Sequence, residues 1–414
     1  MAMKLALLGV TPQALVLAAR AAELGHEIAI AYDAATDRTA LLDAFPRIRV
    51  RSDWESLLGE REVDAVIVAG PRLPEDEPAD VREQCDDQLR KLIQAAVPLV
   101  VIPPVCEAIV GFELEMIRRD VKAVVVPALT EPLHAALDDL ANWLSPKAGV
   151  LGNIELIRME RALPLRRRLD VLSAFVGDAE VLRRLVGPLR RLTASGGKAE
   201  GEEKPSLANV VVQAEGESGL AVRWSPVAPE NFSGARLTVE GGEGRLTLHM
   251  PLDGNWELAG PGIERSYERL DSAVVFEELE QAISQESAPR ITWLDACRAV
   301  EAAEAIDRSL GRGRTIELYN EEHSEESSFK GIMAAGGCLI LLATLAIFIG
   351  AGVLTVLLPP AKGSGGSYWG WLQACLLVPL GLFLAVQLLS FGLSRHLRNK
   401  HRDSTDAEKS AKSL

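Results

Sequence analysis

The sequence predicts an α/β protein whose first sheet is parallel, whose second sheet is mostly antiparallel, and whose C-terminal end is a transmembrane helical hairpin. Three observations predict it. Short apolar runs alternate with helix-period segments up to residue 128. Strand-period alternation takes over after Gly152. Two long uncharged stretches follow Lys330.

In the first region, Lys4 to Leu8 is an apolar run that stops at Gly9. Pro12 to Leu24 has helical spacing, with proline at the first helical position, where its missing N–H is no loss. Gly25 supplies the left-handed residue that ends a helix. Glu27 to Tyr32 is a second apolar run, closed by Asp33. Strand, glycine turn, helix, strand and acid form the order of a dinucleotide-binding unit. Further strands fit Val63 to Ala69, Leu99 to Ile102 and Ala123 to Val126, with helices between them. Such alternation implies a parallel sheet covered on both faces, so residues 1–128 are expected to form a Rossmann-like domain.

The turn reads Gly9-Val10-Thr11-Pro12-Gln13-Ala14 against the fingerprint G-x-G-x-x-G/A. Gly9 fits the first position and Ala14 is allowed at the third. Thr11 stands where glycine lets the backbone approach a pyrophosphate, and its branched side chain obstructs that approach. Asp33 lies 24 residues after Gly9, near the place of the acid that binds the ribose hydroxyls. That acid disfavours a 2′-phosphate.

Residues 129–318 are expected to form an α+β domain. Ile154 to Arg158 begins a strand, and Asp178 to Val186 reads as a helix. Alternation recurs in Val210–Gln213, Leu220–Trp224, Arg236–Val239 and Arg245–His249, which read as a mostly antiparallel sheet. A helix from Trp293 to Leu310 and a strand at Thr315–Leu318 close the region. A ligand in such an arrangement lies between the edge of the first sheet and the open face of the second.

Three stretches carry a resemblance. They are Val63-Asp-Ala-Val-Ile-Val-Ala-Gly-Pro71, Val181-Leu-Arg-Arg-Leu-Val-Gly187, and the helix from Trp293 to Arg314. Together they resemble the glucose–fructose oxidoreductase and inositol dehydrogenase family (Gfo/Idh/MocA), over residues 3 to 318. The resemblance implies an NAD(P)-dependent oxidoreductase acting on a sugar or polyol. It implies Gly9, Ala14, Asp33, Ala69 and Pro71 as the cofactor-binding positions. The catalytic positions do not carry over. The family has Glu-Lys-Pro where this chain has Ile102, Pro103 and Pro104, so the lysine position is Pro103. The family's His-x-x-Asp falls on Gly177 and Glu180, and glycine cannot act as a general acid–base. Arg72-Leu73-Pro74 replaces the polar residues usual after the third strand. With Thr11, these losses predict no catalytic residue and a degenerate module that senses a ligand or serves as a scaffold. An active NAD(P)-dependent enzyme is the alternative, and a purely structural partner of a membrane protein the third reading. Self-association through the sheet of the second domain is expected from the resemblance.

The C-terminal end reads as membrane. Residues 331–394 hold two uncharged stretches, with spans expected at 333–357 and 370–393, each long enough for the about 20 residues a crossing needs. Residues 319–330 form an acidic linker. Arg395, Arg398, Lys400 and Arg402 in the tail 395–414 outnumber Lys362 in the hairpin, which places tail and module on the cytoplasmic side, with the bilayer as partner. Arg166 to Arg168, with Arg183, Arg184, Arg190 and Arg191, read as a solvated face or a contact with anionic headgroups. The net charge of −14 excludes a nucleic-acid footprint. The five cysteines form no C-x-x-C and read as free thiols in a reducing compartment. No histidine has ligand spacing, so no metal site is expected. His134 follows a helix start and reads as a surface or capping residue near the cleft.

Overall fold

The computed structural model describes residues 2–318 apart from 34–37, 60–61, 70–78, 145–150, 197–206, 231, 270 and 286, together with Ile349. The elements of both sheets lie in one compact unit, Met1–Asn320.

The first sheet follows from the apolar runs. Strands β1 (Lys4–Leu8), β2 (Glu27–Tyr32), β3 (Arg49–Arg51), β4 (Ala65–Ala69), β5 (Leu99–Ile102) and β6 (Val125–Pro127) pair in the order β3-β2-β1-β4-β5-β6, all parallel. Helices α1 (Pro12–Glu23), α2 (Arg38–Ala44), α3 (Ala79–Gln94) and α4 (Ala108–Val121) connect them. The order reverses between β1 and β4, and that switch point opens a crevice at the carboxyl ends of the strands. β3 is the strand that the apolar pattern misses. Its sequence is Arg-Val-Arg, and it sits at the sheet edge, where charge is tolerated and protects against further pairing.

After α5 (Ala135–Leu144) the second sheet begins with β7 (Ile154–Ala162), followed by α6 (Arg168–Val186). β8 (Leu189–Ser195), β9 (Val211–Gly216), β10 (Ala221–Val227), β11 (Ala235–Gly241), β12 (Gly244–Met250), β13 (Trp256–Gly260) and β14 (Ile263–Tyr267) follow. Then come α7 (Ala273–Ile283), α8 (Trp293–Arg312) and β15 (Ile316–Glu317). The nine strands run β14-β13-β12-β11-β7-β10-β9-β8-β15, antiparallel except for the β7–β10 pair. The expected mostly antiparallel sheet is therefore present. Helix α6 starts ten residues before the sequence-predicted Asp178. Leu172, Phe175, Val176, Ala179, Val181 and Leu182 are all buried, so the helix is apolar nearly all round and shows no single stripe. Helix α7 was not expected. Its Val275, Phe276 and Leu279 join the core of the first sheet beside Leu17 and Ile67.

The membrane location read from the sequence is corrected. Among the described residues no helix is long and apolar enough to cross a membrane. The longest, α8, carries Asp295, Glu301, Glu304 and Asp307 along its 20 residues. The expected linker, the spans at 333–357 and 370–393, and the tail lie outside the described residues, Ile349 excepted.

Each arginine of the basic clusters has a local partner. Arg167 pairs with Asp170 at 2.8 Å, Arg168 with Asp307, and Arg166 donates to the Ala208 carbonyl. Arg183 pairs with Glu180, Arg184 with Asp138, Arg190 with Glu217 and Arg191 with Glu215. Cys106 and Cys297 are free thiols, whereas Cys338 and Cys375 lie outside the described residues.

Candidate functional site

The crevice is built from chain reversals at the ends of the parallel strands. Gly9 ends β1 at φ +78°, and its N–H donates to the Tyr32 carbonyl at 3.1 Å. A Cβ at Gly9 would stand 1.9 Å from the Ala69 carbonyl oxygen, so only glycine fits this approach of β1 to the end of β4. Gly9, Ala14, Asp33 and Ala69 are thus gathered along the carboxyl-end rim of the sheet. Pro71 and the Arg72-Leu73-Pro74 replacement lie outside the described residues.

Two features of this rim could receive a dinucleotide, and both carry internal bonds. The first is the N-terminus of α1. Thr11 is its cap residue, and its Oγ1 accepts from the Ala14 N–H at 3.2 Å. Pro12, at the first helical position, has no N–H to offer. The second is Asp33 at the end of β2, exposed and held at φ +52°. Its Oδ2 accepts from Gln88 Nε2 at 2.7 Å. Gln88 is a buried residue of α3 that sequence reading missed, since no motif marks a lone glutamine on a helix.

β5 ends at Ile102, and Pro103 and Pro104 follow it, with a cis peptide between the prolines. Pro103, Val105, Cys106, Trp293, Cys297 and Val300 line a hollow of about 220 Å³, counted to its open mouth. Burial pushes both thiols well above the ordinary cysteine range, which keeps them protonated and poor as nucleophiles. Glu107 also lines the hollow.

Helix α6 carries the other two positions named by the resemblance. A Cβ at Gly177 would meet nothing within 4 Å, so the absent side chain is not forced by crowding. Glu180 is 1% exposed and accepts from Arg183 Nε at 2.9 and 3.0 Å. Burial pushes its carboxyl up to about 7, with Arg183 and Arg298 pulling it down and Asp295 adding to the rise. It faces α8 and is held in a structural ion pair.

Two residues away, Asp178 looks toward the second sheet. It accepts from Trp224 Nε1 at 2.8 Å and from Arg161 Nε at 3.0 Å. Arg161 also reaches Glu131 at 2.7 Å. This buried chain of charges fastens the turn before α5 to β7, α6 and β10, and no sequence spacing announces it. Beside it, His134 stacks on Trp256 with centroids 3.8 Å apart. Its Nδ1 accepts from the Ala136 N–H at the start of α5, so Nε2 carries the proton and donates to the Glu268 carbonyl at 3.0 Å. Burial lowers its pKa. The expected capping role is the one this geometry shows. Among the described residues no group of three or more His, Cys, Asp or Glu side chains could hold a metal ion.

No protein-family model and no curated sequence matches the chain. Solved structures do. A myo-inositol dehydrogenase from Corynebacterium glutamicum aligns with a TM-score of 0.56 at 15% identity, over 78% of this chain and 100% of its own. The chain has the fold of these oxidoreductases. An oxidoreductase from Agrobacterium radiobacter, solved in complex with NAD+, L-tartaric acid and magnesium, aligns at 0.59 and 14% identity, over 77% of this chain and 98% of its own. An oxidoreductase from Thermotoga maritima aligns at 0.61 and 15%, over 77% and 98%. The oxidoreductase fold therefore spans the parallel and the antiparallel sheet in the order the sequence predicts.

Proposed function

We propose that this protein is a catalytically silent version of the oxidoreductase fold, acting as a ligand-sensing or scaffolding module. The observation that carries the reading is the start of α1. A helix N-terminus seats a phosphate through free N–H groups. Here Pro12 has none and Ala14 gives its own to Thr11, whose side chain stands over the turn. The residues present do not fit a pyrophosphate, and no reaction step is routed through one. Pro103 and Gly177 support the same reading, because neither can move a proton. Glu180, the one titratable group kept, is tied to Arg183 and turned to α8.

The test is calorimetric titration of NAD(H) and NADP(H) into the full chain. No saturable heat is the expected outcome. Micromolar binding abolished by Asp33→Ala would overturn the proposal and restore an active NAD(P)-dependent oxidoreductase. The frame that Gly9 and Ala69 keep at the switch point is what that second reading would rest on.

A further inference from the structure

The nine-stranded sheet has two unlike faces, visible along neighbouring lines of register. On the face beneath α6 and α8 one line runs Val212, Trp224, Met159, Leu237, Leu248 and Leu258, all buried. One residue along, on the opposite face, it runs Gln213, Arg223, Arg158, Thr238 and Thr247. Arg223 and Arg158 stand directly opposite each other on β10 and β7, at the centre of the sheet. Like charges in directly opposed positions destabilise a sheet.

Arginines further out on this face are neutralised. Arg236 meets Glu160 at 2.6 Å, and Arg191 meets Glu215. The central pair is less well matched. Arg158 has a long ion pair with Glu240 at 3.7 Å, and its Nε is buried without a hydrogen-bond partner. Arg223 is exposed and has neither hydrogen bond nor ion pair among the described residues.

We infer that Arg158 and Arg223 form the centre of a docking surface for an acidic segment of a partner protein. Guanidinium groups bind carboxylates in forked pairs, and a carboxylate here would relieve the repulsion the sheet otherwise bears. A small ligand is bound in a concavity, whereas this pair rises mid-strand from an open sheet face. A polyphosphate backbone needs a continuous basic track, which Glu160, Glu215 and Glu240 interrupt here, whereas a single carboxylate can meet the central pair in forked contact. The surface is independent of whether the crevice of the first sheet binds a dinucleotide.

The test is fluorescence anisotropy of fluorescein-labelled hexaglutamate titrated with the full chain at low salt, alongside thermal melting. Saturable binding is expected, weakened at least tenfold by Arg223→Gln and lost as salt is raised. The same substitution is expected to leave the melting midpoint unchanged or higher, because it removes a like-charge contact. Absence of binding to the parent chain would overturn the inference, and so would a midpoint several degrees lower in the variant, which would make Arg223 structural. Equal binding of a single-stranded oligonucleotide of the same charge would overturn it in favour of nucleic acid. Self-association in sedimentation that Arg223→Gln abolishes would give the face to a second copy of the chain and overturn it as well.

Discussion

Helices α1 and α8 begin in the same way. At α1, Thr11 Oγ1 accepts from the N–H three residues on at 3.2 Å. At α8, Thr292 Oγ1 does so at the same distance. The first lies where the sequence suggests a phosphate seat, and the second is a joint in the interior of the fold. They differ at the third helical position. Asp295 returns a bond to the Thr292 N–H at 3.0 Å and closes a capping box. Ala14 returns nothing, and α1 has no acid in its first turn. The expected phosphate seat is thus built as an ordinary cap, but an incomplete one. α8 has its compensating negative charge, while the positive end of the α1 dipole has only a hydroxyl.

The largest effect is expected where the α8 joint meets Glu180. Asp295 faces Arg183 at 3.4 Å, and Arg183 in turn holds Glu180. Burial raises the Glu180 carboxyl from 4.5 to about 7. Between these values the folded chain holds a proton that the unfolded chain has released. Stability from this group is therefore present at low pH and falls as pH rises through the window, levelling off above about 7. Glu180→Gln is expected to remove that slope. Denaturant melts from pH 4 to 8 should show the variant gaining on the parent by roughly 3 kcal/mol in total. Parallel pH profiles for parent and variant would mean that folding leaves the Glu180 carboxyl at its ordinary value.

Thr292→Ala comes next. It removes the acceptor for the Asp295 N–H and the donor to Asp295 Oδ2 at 2.7 Å. A loss of about 1–2 kcal/mol is expected, seen as a melting midpoint lowered by a few degrees. Thr11→Ala should cost less, about 1 kcal/mol or under, because α1 has no reciprocal bond to lose. Equal losses at the two caps would erase the difference drawn between them.

How far such features can be read in advance depends on their range along the chain. The parallel sheet was legible because β1, β2, β4 and β5 are continuous apolar runs that their own residues define. Thr11 was legible as a departure from the turn pattern, because its effect is local. Gln88 and Asp33 meet across 55 positions, and Arg161 and Asp178 meet through a helix and a strand whose spacing no motif records. Helix α7 was missed for the same reason, since it returns to the first sheet long after that sheet is complete in sequence. The partners of the arginine clusters were hidden likewise: Arg168 finds Asp307 in α8, 139 residues away.

The smallest change in stability carries the sharpest test of the comparison. Glycine is nearly as good a cap as threonine, so Thr11→Gly should cost only a few tenths of a kcal/mol. It removes the hydroxyl from the Ala14 N–H and the branched side chain from the turn, and it completes the G-x-G-x-x-A form of the fingerprint between Gly9 and Ala14. The α1 dipole then has no anion of its own chain to face, which favours a phosphate at that end. Weak NAD+ binding is expected in the variant by calorimetry, with none in the parent. If Thr11→Gly binds no better, the obstruction lies at the second bond of the rim, between Gln88 and Asp33. The double variant with Gln88→Ala should then bind where neither single variant does, because each bond alone would be enough to keep the crevice closed.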